Sequence, residues 1–209
     1  MSEHDAYGGP FFVPEIDADQ KGITTDAAAR ALAEPGLPLN KASVFFRNCA
    51  TNGLVHPYTR LRTGLKPYLY RADQLLIAAV LHRVAEAAFS DKSLRQKVSH
   101  TLNAWNADDL SLTEEAIREG NAEHFAPRSP AAFALYSFLH GKRGFSFEIR
   151  TCRQMDRGTL TFDCRLGRQD TEGVTRFRLD PEQYSVRSAF VTSVDDILIH
   201  LTREREIAN

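Results

Sequence analysis

The stretch that decides the fold prediction is residues 53–70, which run Gly53-Leu-Val-His-Pro-Tyr-Thr-Arg-Leu-Arg-Thr-Gly-Leu-Lys-Pro-Tyr-Leu-Tyr70. Gly53 follows a helical pattern and is suited to end it, because glycine adopts the left-handed backbone conformation at little cost. Gly64 then stands between two short apolar and aromatic runs, residues 54–55 and 68–70. This order predicts a β-hairpin whose loop spans residues 60–66.

Three basic side chains surround the tip of that hairpin, with no acidic residue among them: Arg60, Arg62 and Lys66. A projecting basic hairpin suits the phosphate backbone of a nucleic acid better than it suits a small-molecule pocket.

Helical patterns flank the hairpin on both sides. Residues 23–32 form the first, with Thr25 as its expected N-cap, and a Pro-Gly turn at 34–38 follows. A second helix is predicted over 41–51, capped by Asn40, with Val44, Phe45 and either Ala50 or Cys49 buried. Asp73 is expected to cap a third helix over 74–89, and a further helix is predicted from Ser90-Asp91 to about residue 105. Helix, turn, helix, hairpin and helix is the order of a winged helix-turn-helix domain.

In such a domain the second helix enters the major groove of DNA and the wing meets phosphates or the minor groove. Lysine can bond guanine and asparagine can pair with adenine. The predicted DNA-binding residues therefore lie on the second helix and in the wing: Asn40, Lys41, Ser43, Arg47, Asn48, Arg60, Arg62, Lys66 and Tyr68.

Residues 23–89 also carry a motif order that resembles the DNA-binding domain of MerR-family transcriptional regulators. The matching features are Arg47, the step from Gly53 to Pro57, a wing arginine at 60 or 62, the segment 64–68, and Asp73. The resemblance implies that Arg47, Arg60 and Lys66 contact the DNA backbone. The chain departs from the pattern at Asn48, Cys49, Leu65 and Lys66, and no long coiled-coil helix is evident after residue 89.

The second half of the chain changes its periodicity. Helices are predicted over 111–123 and from Ser129-Pro130 to Gly141. Strands are then predicted over 145–151, 160–166, 174–179 and 184–191, with a turn at 156–158, and they give a four-stranded antiparallel sheet. A last helix begins after Ser193. The fold class is therefore α+β, with a winged helix-turn-helix followed by a module of helices and this sheet.

Charge divides the chain into three parts. Residues 1–20 carry five acidic and no basic residues, and are predicted to be a flexible arm without a signal peptide. Residues 21–105 carry 12 Lys and Arg against 5 Asp and Glu, and form the predicted DNA-binding domain. Residues 106–209 carry 14 against 17 and form the predicted α+β module for dimerisation, sensing or partner binding. A basic middle segment favours a localised anionic partner.

Several other classes of function are disfavoured by the sequence. The composition, 43% hydrophobic and 25% charged, is typical of a soluble globular protein, and no apolar run is long enough to span a membrane. Three cysteines without close pairs favour a reducing compartment; two buried small residues are expected at Cys152 and Cys164, with a disulfide between them as the alternative. No metal-ligand spacing, phosphate loop or nucleophile motif is present, so neither a cofactor nor an enzyme is predicted.

The sequence thus predicts a cytoplasmic, nucleoid-associated protein that binds double-stranded DNA sequence-specifically as a transcriptional regulator. A homodimer is expected, with RNA polymerase or another protein as a further partner through residues 106–209, and a ligand site there stays open. A phage or mobile-element accessory protein for DNA packaging or recombination is the first alternative. The second is a protein-interaction module with a degenerate winged helix.

Overall fold

The computed structural model describes residues 22–34, 36–57, 59–60, 68–105, 129–169 and 174–207. These residues form a mixed fold of helices and β-sheets, as predicted. The chain divides into two compact units. The first contains the described residues up to His82 together with those from Asp196 onward, and the second contains the described residues between Arg83 and Asp195. The domain boundary predicted after residue 105 lies within the second unit.

The first unit has the expected order of two helices, a hairpin and a helix, with one additional strand in front. A three-stranded antiparallel sheet joins β1, β3 and β2 in that order. The elements are β1 (Ile23–Thr24), α1 (Thr25–Leu32), α2 (Leu39–Thr51), β2 (Thr59–Arg60), β3 (Tyr68–Tyr70) and α3 (Ala72–Glu86).

Strand β1 replaces the first turn of the predicted helix 23–32. Ile23 pairs with Tyr70 and Thr24 pairs with Leu69, so the chain is extended there. Thr24 rather than Thr25 is consequently the N-cap, and its hydroxyl accepts a hydrogen bond from Ala27 N at 3.2 Å. The local sequence pattern does not indicate this strand, because its pairing partner lies more than 40 residues away along the chain.

Helix α2 differs from its prediction at its start and on its buried side. It begins at Leu39 after Pro38, which provides no side-chain cap, so Asn40 is not the N-cap. The Asn40 Oδ1 instead accepts a hydrogen bond from Lys41 N at 2.8 Å. The helix ends as predicted at Asn52, and Gly53 has a φ of +67°. Its buried residues are Ala42, Phe46 and Cys49; Val44 is exposed and Phe45 is partly buried.

The hairpin also begins later than predicted. Its first strand is β2, and Leu54 and Val55 are buried outside any strand. Their burial explains the misassignment, because apolar residues packed into a core resemble a short strand in sequence. Asp73 lies inside the first turn of α3 and does not precede it. The backbone N of His56 donates to Gln74 Oε1 at 2.8 Å, which fixes the segment after α2 to the start of α3.

The helices of the second unit agree closely with the sequence signals. Helix α4 (Lys92–Asn103) is capped by Asp91, whose Oδ1 accepts from Leu94 N at 2.9 Å. Helix α5 (Pro130–Leu139) is capped by Ser129 and ends before Gly141, whose φ is +82°. The helix predicted over 111–123 lies outside the described residues. The final helix, α6 (Val194–Ile207), begins at the end of the second unit, and its residues from Asp196 onward belong to the first unit. It follows Ser193 as expected, and its apolar stripe is buried.

The sheet of the second unit has three strands among the described residues, and the prediction of a four-stranded meander is wrong. Its strands are β4 (Phe145–Gln154), β5 (Leu160–Arg168) and β6 (Tyr184–Ser193), in the antiparallel order β5-β4-β6. Because β5 and β6 lie on opposite sides of β4, the chain between them has to cross from one edge of the sheet to the other.

The segment predicted as the fourth strand, residues 174–179, belongs to this crossover. Its backbone is held in part by side chains, which is why it does not form a ladder. Asp163 Oδ2 accepts from the backbone N of Arg178 and of Leu179, at 2.9 and 2.8 Å. Thr175 Oγ1 accepts from Leu166 N at 2.9 Å.

The cysteines of this sheet face opposite sides. Cys164 stands opposite Ile149, and Cys152 stands opposite Thr161. Positions 149 and 152 of one strand point to different faces, because side chains alternate along a strand. The alternative of a disulfide is therefore wrong, and Cys49, Cys152 and Cys164 are all free and buried.

Candidate nucleic-acid interface

Helix α2 presents one continuous exposed surface, called here the outward face. Its residues recur every three or four positions, so they lie on one side of the helix. They are Asn40, Lys41, Val44, Arg47, Asn48 and Thr51.

The opposite side of α2 is fixed in the core of the first unit. Ala42 and Phe46 are fully buried, and the Phe46 ring meets the Tyr70 ring edge-on with centroids 4.9 Å apart. Phe45 meets His82 in the same geometry at 5.2 Å. Burial raises the pKa of the Tyr70 phenol above its usual value. A helix held by such contacts presents its outward face in one fixed orientation.

The outward face is positively charged. Lys41 and Arg47 are its charged residues, and no acidic residue belongs to it. Arg47 Nη2 lies 3.6 Å from Asp26 Oδ1 of α1, but the Arg47 side chain remains 63% exposed. Exposed ion pairs contribute about 0–1 kcal/mol, so a phosphate can replace Asp26 at little cost.

The structure brings four of the predicted DNA-binding residues together on this face: Asn40, Lys41, Arg47 and Asn48. Ser43 is partly buried at its side. Asn48 also supports the end of the helix, because its backbone oxygen accepts from Asn52 Nδ2 at 2.7 Å.

The wing residues are only partly described. Arg60 lies in β2 opposite Tyr68 of β3, and the Tyr68 side chain is exposed. The side chain of Arg60 and the whole of Arg62 and Lys66 lie outside the part of the chain that the structure describes. Their predicted contacts with DNA stay predictions.

Val44 is the residue of this face that the sequence prediction misplaced. It was expected in the core, yet its relative exposure is 57%. A signal for this was present in the sequence: the spacing of Ala42, Phe46 and Cys49 also defines an apolar stripe, and Val44 lies away from it. The sequence of α2 therefore contains two possible apolar stripes, and the prediction followed the one that includes Val44.

Two basic residues of the sheet in the second unit, Arg150 and Arg165, share one acidic partner. Glu148 accepts from Arg150 Nε at 2.9 Å through one oxygen and lies 2.9 Å from Arg165 Nη2 through the other. Both guanidinium groups also lie against the ring of Phe177, 3.6 and 4.6 Å from its centroid. These ion pairs are partly buried, whereas the pair between Arg47 and Asp26 is largely exposed.

Comparison with known proteins gives no relative: no family model, no curated protein and no solved structure matches this chain. Within the described residues, no helix is both long enough and apolar enough to cross a membrane.

Proposed function

We propose that this protein binds double-stranded DNA through the outward face of α2 and the hairpin that follows it, and acts as a sequence-specific transcriptional regulator. The observation that carries the proposal is the outward face itself. A helix fixed by a buried aromatic contact presents Asn40, Lys41, Arg47 and Asn48 on one side, and the face carries no acidic residue.

The dimensions and chemistry of α2 suit the major groove. The groove is about 12 Å wide and admits an α-helix with its side chains. The amide side chains of Asn40 and Asn48 can read base edges, while Lys41 and Arg47 can contact phosphate or guanine. The order of α2, the antiparallel strands β2 and β3, and α3 along the chain supports a winged domain.

The remaining parts of the proposal concern assembly and location. We expect the protein to act as a homodimer that is associated with the nucleoid. The second unit would mediate dimerisation or contact with a protein such as RNA polymerase. A dimer bound at a few promoters is the outcome that favours a regulator. A ring or filament at one phage locus would favour the packaging or recombination alternative.

Substitution of Arg47 tests the proposal with a well-matched control. Arg157 is 75% exposed and lies 3.7 Å from Asp156, so it reproduces the environment of Arg47 in the second unit. Binding of the full-length chain to a pool of random 30-base-pair duplexes is measured by fluorescence anisotropy over a series of salt concentrations. We expect Arg47→Ala to weaken binding and to reduce the salt slope by about 1, because one phosphate contact is lost.

Arg157→Ala should bind like the wild type. If Arg47→Ala and Arg157→Ala both retain wild-type affinity and salt slope, the outward face is not the DNA-binding surface. If the wild type binds no duplex at all, DNA binding itself is refuted and the interaction-module alternative gains support.

A further inference from the structure

We infer that Val44 reads the C5-methyl group of thymine in the major groove, so that a thymine lies at the centre of the sequence that this protein selects. The inference rests on the proposed function and deepens it. It assigns base specificity to a side chain whose exposure became visible only in the structure.

The position of Val44 on α2 is the first reason. Its neighbours one turn before it on the helix are Asn40 and Lys41, and those one turn after it are Arg47 and Asn48. All four are exposed, so the valine is the apolar centre of a polar surface. A single exposed valine is ordinary, but this one lies between four hydrogen-bonding groups, so it faces the base edges when this side of α2 enters the groove.

The chemistry of the groove is the second reason. Among the four bases, only thymine presents a methyl group in the major groove, and proteins read it by apolar contact. The branched end of valine has the shape for this contact and offers no hydrogen-bond donor or acceptor to cytosine or adenine. The surrounding cations can neutralise the phosphates on either side of the groove.

An apolar groove on a protein partner fits the same face poorly. A helix that docks in such a groove presents anchors at positions i, i+3 or i+4, and i+7. The large apolar residues exposed on α2 are Leu39 and Val44, five positions and about 140° apart around the helix. They therefore cannot form one apolar stripe along the helix. The exposed polar residues of α2, in contrast, lie on one side of it.

The test uses the full-length chain and duplexes that it selects from a random library. Each thymine of the selected duplex is replaced in turn by deoxyuridine, which removes only the methyl group. We expect at least one position at which this change weakens binding by about fourfold, the value for one buried methyl or methylene group. Val44→Ala should bind the thymine duplex about fourfold more weakly and should no longer distinguish it from the uracil duplex.

Val186→Ala is the matched control, because Val186 is 53% exposed on β6 of the second unit. It should discriminate thymine from uracil as the wild type does. If selected duplexes bind but no deoxyuridine position matters, the inference is overturned while DNA binding stands. If the discrimination persists in Val44→Ala, another residue reads the methyl group and the inference is again overturned. Recovery of no duplex would overturn the proposed function and the inference together.

Discussion

Replacement of Asp163 by alanine should release the crossover of the second unit and destabilise the fold. The Asp163 side chain is 2% exposed in strand β5. Its carboxylate accepts three backbone hydrogen bonds, from Cys164 N at 3.1 Å, Arg178 N at 2.9 Å and Leu179 N at 2.8 Å. The last two join strand β5 to the segment that connects it to β6, so alanine removes the acceptor that holds this segment.

The expected cost follows from these two bonds. A hydrogen bond to a charged group contributes about 1.5–3 kcal/mol. In the variant, water can hydrogen-bond to the backbone N–H of Arg178, which is exposed, and so recover part of this energy. It can recover less at Leu179, which is partly buried. We therefore expect Asp163→Ala to lower the free energy of unfolding by about 2–4 kcal/mol, a large fraction of the 5–15 kcal/mol typical of a protein. Asp163→Asn keeps the size and one acceptor oxygen, and should cost about half as much.

Urea unfolding and amide hydrogen exchange together provide the assay. Asp156→Ala is the control, because Asp156 lies exposed in the β4–β5 turn. This substitution should change the free energy of unfolding by no more than about 0.5 kcal/mol. In Asp163→Asn, which retains enough stability to fold, the amides of Arg178 and Leu179 should exchange faster than in the wild type. If Asp163→Ala unfolds at the wild-type urea concentration and both amides keep their protection, the carboxylate does not hold the crossover.

Two further predictions concern charge and ionisation. Asp26→Asn should tighten duplex binding by about two- to fivefold at low salt. The substitution removes a negative charge 3.6 Å from Arg47, and the attraction between these two charges is worth about 1 kcal/mol in water. If the affinity measured in anisotropy titrations does not change, the DNA phosphate does not lie next to Arg47. Burial raises the pKa of the Cys164 thiol to about 12, so the folded state keeps its proton while the unfolded state loses it above about pH 9. The free energy of unfolding should therefore fall with pH between 9 and 12, by about 1.4 kcal/mol per pH unit from this thiol, and Cys164→Ala should lack that contribution. Parallel pH dependences of the two proteins in urea unfolding would contradict it.

Elements defined by local chemistry were predictable from the sequence. Asp91 and Ser129 cap helices α4 and α5 because their side-chain oxygens reach backbone N–H groups only three residues away. Gly53 and Gly141 follow the ends of α2 and α5 with positive φ, as expected of glycine there. Strands β4 and β5 follow from the alternation of apolar and polar residues, since apolar side chains recur at every second position of each strand.

Elements defined by distant partners were not predictable in this way. Strand β1 exists because Ile23 and Thr24 pair with β3, and two residues carry no strand pattern of their own. The segment 174–179 alternates like a strand, but Asp163 and Thr175 hold it in a crossover. In each case the deciding hydrogen bonds connect residues that are not neighbours in sequence.

The candidate interface shows the same division. The sequence by itself determined that residues 41–51 are helical and that residues 40–51 are rich in polar and basic side chains, because helix formation and charge are local properties. Only the tertiary structure decided which side of that helix faces the core, since Phe46 is buried against Tyr70 and Val44 is thereby turned outward. A helix with two possible apolar stripes chooses between them by packing, and packing depends on the residues of the rest of the fold.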